Sequence, residues 1–346
     1  MRWSRVAVEA LGYELAPNVV TSRAIEDRLA PLYQKLRIQP GQLEALTGIK
    51  ERRLWDPGTK PGEGARRAAR KALDASGIPA SDVGAVLYTG VCRDDLEPAT
   101  ACSVAASLGV RGNAVVQDVS NACLGVLSGI IDVANRIELG QIKAGVVCSA
   151  ESAREITDLT IERLLAEKSM ERFRTALATL TGGSGAVAVV LTHTDLSVAQ
   201  HRLVGGALRA APEHHRSCRW GPDTGIPPSA PMVMETDAVA DLKHGDALGR
   251  ETWADFLAAV GWTPAQVDRV FCHQVTSGHQ AAILEAFGIA RDRDFSTVEL
   301  LGNMGTAALP TGLAIGAERG VVKPGDRTAL LGIGSGLNCL MLGLEW

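Results

Sequence analysis

Aromatic residues are scarce in this chain, only 4% of 346 residues, and there is no basic excess, the formal net charge being −4. With neither a cationic field nor a set of stacking rings, the composition argues against a nucleic-acid partner. No run approaches the roughly 18 apolar residues that a membrane-spanning helix needs. The opening residues, MRWSRVAVEALGYELAP, have no apolar core of signal-peptide length. Seven cysteines, at positions 92, 102, 123, 148, 218, 272 and 339, are an odd number at irregular spacings without a CxxC pair. Neither a zinc site nor a disulfide framework is indicated, and reduced thiols in a cytoplasmic protein are expected.

What is present is the balance of an ordinary soluble domain, 46% hydrophobic and 21% charged. The length suits two domains or one double-sized core. Residues 6–11 read as a first strand, and Thr21 and Ser22 as the cap of a helix reaching Leu36. Residues 48–55, GIKERRLW, read as a basic exposed turn, and residues 64–78 as an amphipathic helix whose arginines form a solvated face. Buried-type strands are expected at 83–88, 114–119, 144–148 and 182–191. The charged stretch 153–180 reads as a helical cap, and 209–249, with WGPDTGIPPSAP in its middle, as the least regular part. Beyond it come a helix at 251–260, a strand at 267–272, a helix to Phe287, a loop, a helix to Glu318, and strands at 328–333 and 339–344. Such alternation argues for a mostly parallel α/β sheet. The second half echoes the first: VGAVLY and VDRVFC each precede a helix, AGVVCS corresponds to TALLGIGS, and GAVAVVL to LNCLMLGL. A duplicated architecture, residues 1–195 and 196–346, with a site between its halves follows.

Residues 115–140, VVQDVSNACLGVLSGIIDVANRIELG, read as a strand, a tight turn and a long helix opening on Cys123. Unpaired N–H groups and the helix dipole favour a thiolate there. Gly125 and Gly129, one turn apart, leave room for a neighbouring backbone. By itself Cys123 is equally well read as a buried structural cysteine. His273 in CHQVTSGH, Asn303 in GNMGTAALP and the glycine-rich GIGSGLN at 332–338 change the balance. A thiol, a histidine, an asparagine and backbone N–H donors are the inventory for acyl transfer through a thioester. Singly, His273 could be structural and Asn303 could hold its own loop.

These four motifs, in this order, resemble the thiolase superfamily and within it the ketoacyl synthase III branch. TGIKERRLWD, RDDLEPATA and LLGIGSGLNC further resemble the OleA group, which joins two fatty acyl-CoAs head to head. The resemblance implies a five-layered αβαβα thiolase fold with duplicated halves, and a homodimer. It implies Cys123 as acylated nucleophile, and His273 and Asn303 as donors to the enolate. The N–H groups of Cys123 and Ser335 would form the acyl oxyanion hole, and Glu97 would enter the partner subunit's site as the base. A malonyl donor forms its carbanion by losing carbon dioxide, whereas a plain acyl-CoA needs a base; as residues alone, Glu97 reads instead as an exposed turn residue beside Pro98, and only the resemblance favours the base. Thr276 and Gly278 stand where carrier-protein-dependent relatives have an asparagine and a docking arginine, which points to CoA thioesters as substrates and to no separate cofactor. Arg52 and Arg53 are candidates for the CoA phosphates. Two other readings stay open: a decarboxylative synthase III using a malonyl extender, and a non-catalytic partner in a heterodimer.

Overall fold

Among the described residues, nine strands join in one mixed sheet that is folded around a pair of central helices. The computed structural model describes residues 1–222, 232–273 and 275–346. Most of WGPDTGIPPSAP and the glutamine of CHQ lie outside the described residues.

In chain order, β1 (Val6–Leu15) and β2 (Asn18–Thr21) lead into three short helices, α1 (Ser22–Arg28), α2 (Ala30–Leu36) and α3 (Gln42–Thr47). β3 (Glu51–Leu54) pairs with β2, and α4 (Pro61–Ser76), β4 (Val83–Tyr88), α5 (Thr100–Leu108) and β5 (Val115–Asp118) follow. Next come α6 (Gly125–Glu138), β6 (Ala144–Glu151), α7 (Arg154–Glu167), α8 (Met170–Ala176) and β7 (Gly185–His193). The remainder is β8 (His201–Ala210), a ribbon of β9 (Cys218–Pro222) and β10 (Met232–Thr236), and α9 (Ala238–Val260). The chain then runs through β11 (Arg269–Cys272), α10 (Ser277–Phe287), α11 (Val298–Leu301), α12 (Ala308–Glu318), β12 (Arg327–Gly334) and β13 (Asn338–Glu345).

The strand order β11-β12-β13-β8-β1-β7-β6-β4-β5 contains the same sequence of pairings twice. β4 runs parallel to β6, β6 antiparallel to β7, and β7 antiparallel to β1. β11, β12, β13 and β8 repeat that pattern. β5 lies parallel beyond β4, and its counterpart beside β11 is reduced to one parallel bridge, Val270 to Asp294. The halves meet where β1 and β8 pair over two positions only, Ala7 with Arg202 and Val8 with His201.

Side-chain pattern explains the layering. β6 is buried along its whole length, as its run of small and β-branched residues requires of a strand covered on both faces. One core cluster joins α6 and α12 to residues of both half-sheets. On the outer face of the first half, α4 lays down Ala65, Ala68, Ala69, Ala72 and Leu73 at helical spacing. Its Arg67 and Arg70 face solvent, as the amphipathic pattern requires. α9 and α10 cover the outer face of the second half. The result is helix, sheet, helix, sheet, helix.

Five expectations are corrected. The nine-stranded sheet is not mostly parallel: five of its eight neighbouring pairs run antiparallel, because β7, β1, β13 and β8 return along the sheet without a crossover helix. The helix from Ser22 to Leu36 is broken at Leu29, because Pro31 lacks an N–H and its ring blocks continuation of the preceding turn. Residues 48–55 are not an exposed turn: they contain β3, where Arg52 is fully buried and Trp55 is 2% exposed. Within 209–249 the described residues are mostly ordered, and α9 starts thirteen residues before the expected Glu251. α6 opens on Gly125, and Cys123 sits just before it in a 3-10 turn, Ala122–Leu124. Among the described residues no helix is long and apolar enough to cross a membrane.

Candidate active site

The Cys123 turn is clamped from several sides. Ala122 has φ +44°, a left-handed backbone that costs an alanine energy and holds the thiol residue out of regular helix. A Cβ on Gly125 would overlap the carbonyl of Thr89, the residue after β4. One on Gly129 would stand 2.6 Å from Val147 Cγ1 and 2.9 Å from Thr89 Cγ2. The two glycines therefore let α6 lie directly on the ends of β4 and β6. Gly140, at φ +70°, ends the segment. Asn121 Nδ2 donates to Ser128 Oγ at 2.9 Å, and Asn338 Nδ2 donates to Asn121 Oδ1 at 3.1 Å. A Cβ on Gly334 would come within 3.4 Å of Cys123 N, so the GIGSGLN turn closes against the nucleophile's own backbone.

His273 follows β11 and is 2% exposed, its backbone N–H donating to Leu331 O at 2.8 Å. Burial, with a smaller contribution from His279, pushes its pKa down to about 3, so the ring is neutral at neutral pH. Among the described residues, Nδ1 of His273 is buried with no hydrogen-bond partner. Asn303 is anchored at three points: its N–H donates to Thr181 O at 2.9 Å, its carbonyl accepts from Gly183 N–H at 2.8 Å, and its Oδ1 accepts from Gly305 N–H at 3.0 Å. With Oδ1 engaged, the amide NH2 is the group Asn303 presents to a ligand.

Cys123, His273, Asn303 and Ser335 line one cavity of about 1300 Å³ including its mouth. Its wall is largely apolar, with Leu177, Val275, Ile333 and Leu337 among the lining residues. A smaller apolar chamber of about 440 Å³, between α9, α10 and the β12–β13 pair, shares His279 and Ile333 with it. A nucleophile, neutral hydrogen-bond donors and apolar walls suit acyl chemistry in a water-poor site.

Not all expected residues meet there. Glu97 is exposed in the loop between β4 and α5, next to Leu96, which is 95% exposed, and is absent from the cavity lining. Arg52 is corrected as a phosphate contact. It is fully buried, its guanidinium donating to Ser22 Oγ at 3.0 Å and Leu180 O at 3.2 Å, and burial lowers its pKa to about 10. Arg53 is half-buried, donates to Ala16 O at 3.4 Å and is likewise absent from the lining.

Two residues on the lining were assigned no role from sequence. His279, on α10, is half-buried, and its desolvation lowers its pKa. Arg174, on α8, is exposed and brings a cation to the cavity wall. The first is the second histidine of CHQVTSGH, six residues beyond His273. The second sat unremarked in a charged stretch.

Residues 257–346 match the family model described as 3-Oxoacyl-[acyl-carrier-protein (ACP)] synthase III C terminal. The chain is 54% identical to an acyl-CoA:acyl-CoA alkyltransferase of Shewanella oneidensis, with 100% of both chains covered. It is 37% identical to the protein of that name from Xanthomonas campestris pv. campestris, again over 100% of each. Among solved structures, cerulenin-bound OleA of Xanthomonas campestris superposes with a TM-score of 0.94 at 36% identity, covering 100% of this chain and 98% of that one.

Proposed function

The chain belongs to the acyl-CoA:acyl-CoA alkyltransferase (OleA) family of the thiolase fold, and from that membership we propose that it condenses two fatty acyl-CoAs to a β-keto acid through an acyl-Cys123 thioester. The observation that carries the proposal is the meeting of Cys123, His273, Asn303 and Ser335 on one largely apolar cavity. Residues 1–195 supply the nucleophile and the base, and residues 196–346 supply His273, Asn303 and the Ser335 oxyanion loop.

In the first half-reaction the Cys123 thiolate attacks the acyl-CoA carbonyl, and the CoA thiolate leaves as the new C–S bond is made. The N–H groups of Cys123 and Ser335 hold the oxyanion, each such donor contributing about 3–4 kcal/mol to the transition state. A second acyl-CoA then enters. Its α-proton passes to a carboxylate, and the resulting enolate oxygen accepts hydrogen bonds from neutral His273 and from the Asn303 amide. The α-carbon attacks the acyl-Cys123 carbonyl, Cys123 leaves as thiolate, and hydrolysis of the remaining CoA thioester releases the β-keto acid. Side chains, backbone N–H groups, the two thioester substrates and one water for the final hydrolysis are all the scheme draws on.

Glu97 of the partner subunit is assigned as the base. Its exposed loop lies off its own chain's cavity, which suits a residue that works in a neighbour's. β5 ends the sheet with a half-buried open edge, which suits pairing with a second copy. Arg174 takes over the contact with the CoA phosphates, because it is the arginine on the cavity wall.

Incubation with long-chain acyl-CoA alone tests the scheme. The expected result is an acyl-mass increase on Cys123, CoA release and a condensed product without malonyl-CoA. Condensation that requires malonyl-CoA supports the decarboxylative reaction instead, and the absence of any adduct supports a non-catalytic subunit.

A further inference from the structure

Glu151, the last residue of β6, lies outside the scheme above, yet it is 3% exposed and no cation pairs with it among the described residues. Its carboxylate is held by two backbone N–H groups, Val91 at 2.9 Å and Cys92 at 3.1 Å, and the Cys92 thiol and the Thr306 backbone N–H also favour its charged form. These donors belong to different parts of the chain. Val91 and Cys92 begin the loop that carries Glu97 into α5, whereas Thr306 lies in the turn that follows Asn303.

The contacts continue on both sides. Asn303 Oδ1 is oriented by Gly305 N–H. A Cβ on Gly305, which has φ +54°, would sit 3.2 Å from Glu151 Cγ and 3.4 Å from its Oε1, so the Asn303 turn is pressed against the carboxylate. Thr306 Oγ1 accepts from Val126 N–H at 2.8 Å in the first turn of α6, directly after the nucleophile. One buried carboxylate thus joins the loop of the proposed base to the turn of the proposed enolate donor, and that turn to the helix of the nucleophile. Burial pushes the Glu151 pKa up to about 7, against the opposing pull of its N–H donors. An unpaired buried carboxylate is costly, and apolar packing of like volume could replace it unless its acceptor oxygens are needed.

We propose that Glu151 is a positioning residue for the condensation step, pinning the Glu97 loop and the Asn303 turn in one register against the acylated Cys123. It acts through those two segments and touches no reacting atom. The proposal rests on the two-step scheme above.

Glu151→Gln tests it. With Val91 N–H on one oxygen and Cys92 N–H on the other, an amide places its NH2 against a donor, so one of the two bonds must break. Single-turnover CoA release reads acylation of Cys123, and product formation reads condensation. Acylation is expected within about 3-fold of wild type, and condensation to fall between about 10- and 100-fold, the size expected of a small misplacement. Hydrogen exchange of residues 91–98 and 303–307 is expected to accelerate together. Gly305→Ala perturbs the same contact from the other side and should give the same split should Glu151→Gln fail to fold. Equal loss of both half-reactions, loss of neither, or a condensation defect without faster exchange in both segments overturns the proposal. Failure of the wild-type protein to acylate Cys123 overturns the two-step scheme instead, and the exchange measurement still judges the Glu151 clamp.

Discussion

The two halves of this molecule solve the same folding problem and put different chemistry at the same place. In the first, β4, α5, β5, α6 and β6 follow one another; in the second, β11, α10, the bridge at Asp294, α12 and β12. Each enters its central helix through a 3-10 turn, Ala122–Leu124 in one and Gly305–Ala307 in the other. The first turn holds Cys123, and Asn303 stands just before the second. The residue after β4 is Thr89, whose carbonyl and methyl are used to pack α6. The residue after β11 is His273, buried, neutral and facing the cavity. One half therefore spends the end of its strand on packing and the other on presenting a histidine to the cavity. A duplicated frame offers two helix entrances that open on a common cavity, so a nucleophile and its charge-stabilising donors can diverge independently while staying in register.

That division of labour can be broken at graded points. Removing the nucleophile, as Cys123→Ala, should cost both half-reactions at least about 10³-fold and eliminate the acyl adduct by intact-mass measurement. Glu97→Ala should separate the steps, with condensation down by between about 10²- and 10⁴-fold while CoA release from the first acyl-CoA continues. If that variant condenses normally, the base lies elsewhere. Asn303→Ala addresses the second half alone and should lower condensation by about 10²- to 10³-fold with Cys123 acylation little changed. Parallel loss of acylation would mean that the two turns are not separable. Gly129→Ala tests packing without chemistry: its methyl meets Val147 and Thr89, and a destabilisation of about 1–3 kcal/mol is expected in denaturant unfolding.

The smallest effect concerns pH. His273 titrates near 6.5 when unfolded and at about 3 in the fold, so below pH 6.5 the unfolded chain binds a proton that the folded one does not. Wild type should then lose stability relative to His273→Asn as pH falls from 6.5 towards 3, while the two run parallel above 7. A thermal-unfolding series across that range measures the difference, and a constant difference would mean a histidine that is charged or solvated in the fold.

Much of the frame was legible because it is written in local pattern. β4, β6 and β7 are short runs of small and β-branched residues, and the glycines of α6 announced a close neighbour that proved to be Thr89 and Val147. Cys123, His273, Asn303 and Ser335 carry motifs at recognisable places after strands and before helices. What stayed hidden depends on distant cover. Nothing near Arg52 shows that Ser22 and Leu180 will enclose it, so a basic string looked like surface. The start of α9 was hidden by Gly245 and Gly249, which resemble helix breakers. They instead admit Ile333 and Phe287 against the helix, since a Cβ would stand 2.8 Å and 3.2 Å from those side chains. Glu151 was invisible for a third reason: its partners are chiefly backbone N–H groups, which no side-chain pattern records.

The contact between Asn338 and Asn121 spans 217 residues of chain, and Gly334 abuts Cys123 from the same hairpin. During synthesis the thiol therefore emerges long before the loop that completes its oxyanion pocket. On the proposed scheme, a nascent chain carrying only the Cys123 turn has a cysteine but no acyl acceptor, and competence arrives when β12 and β13 close.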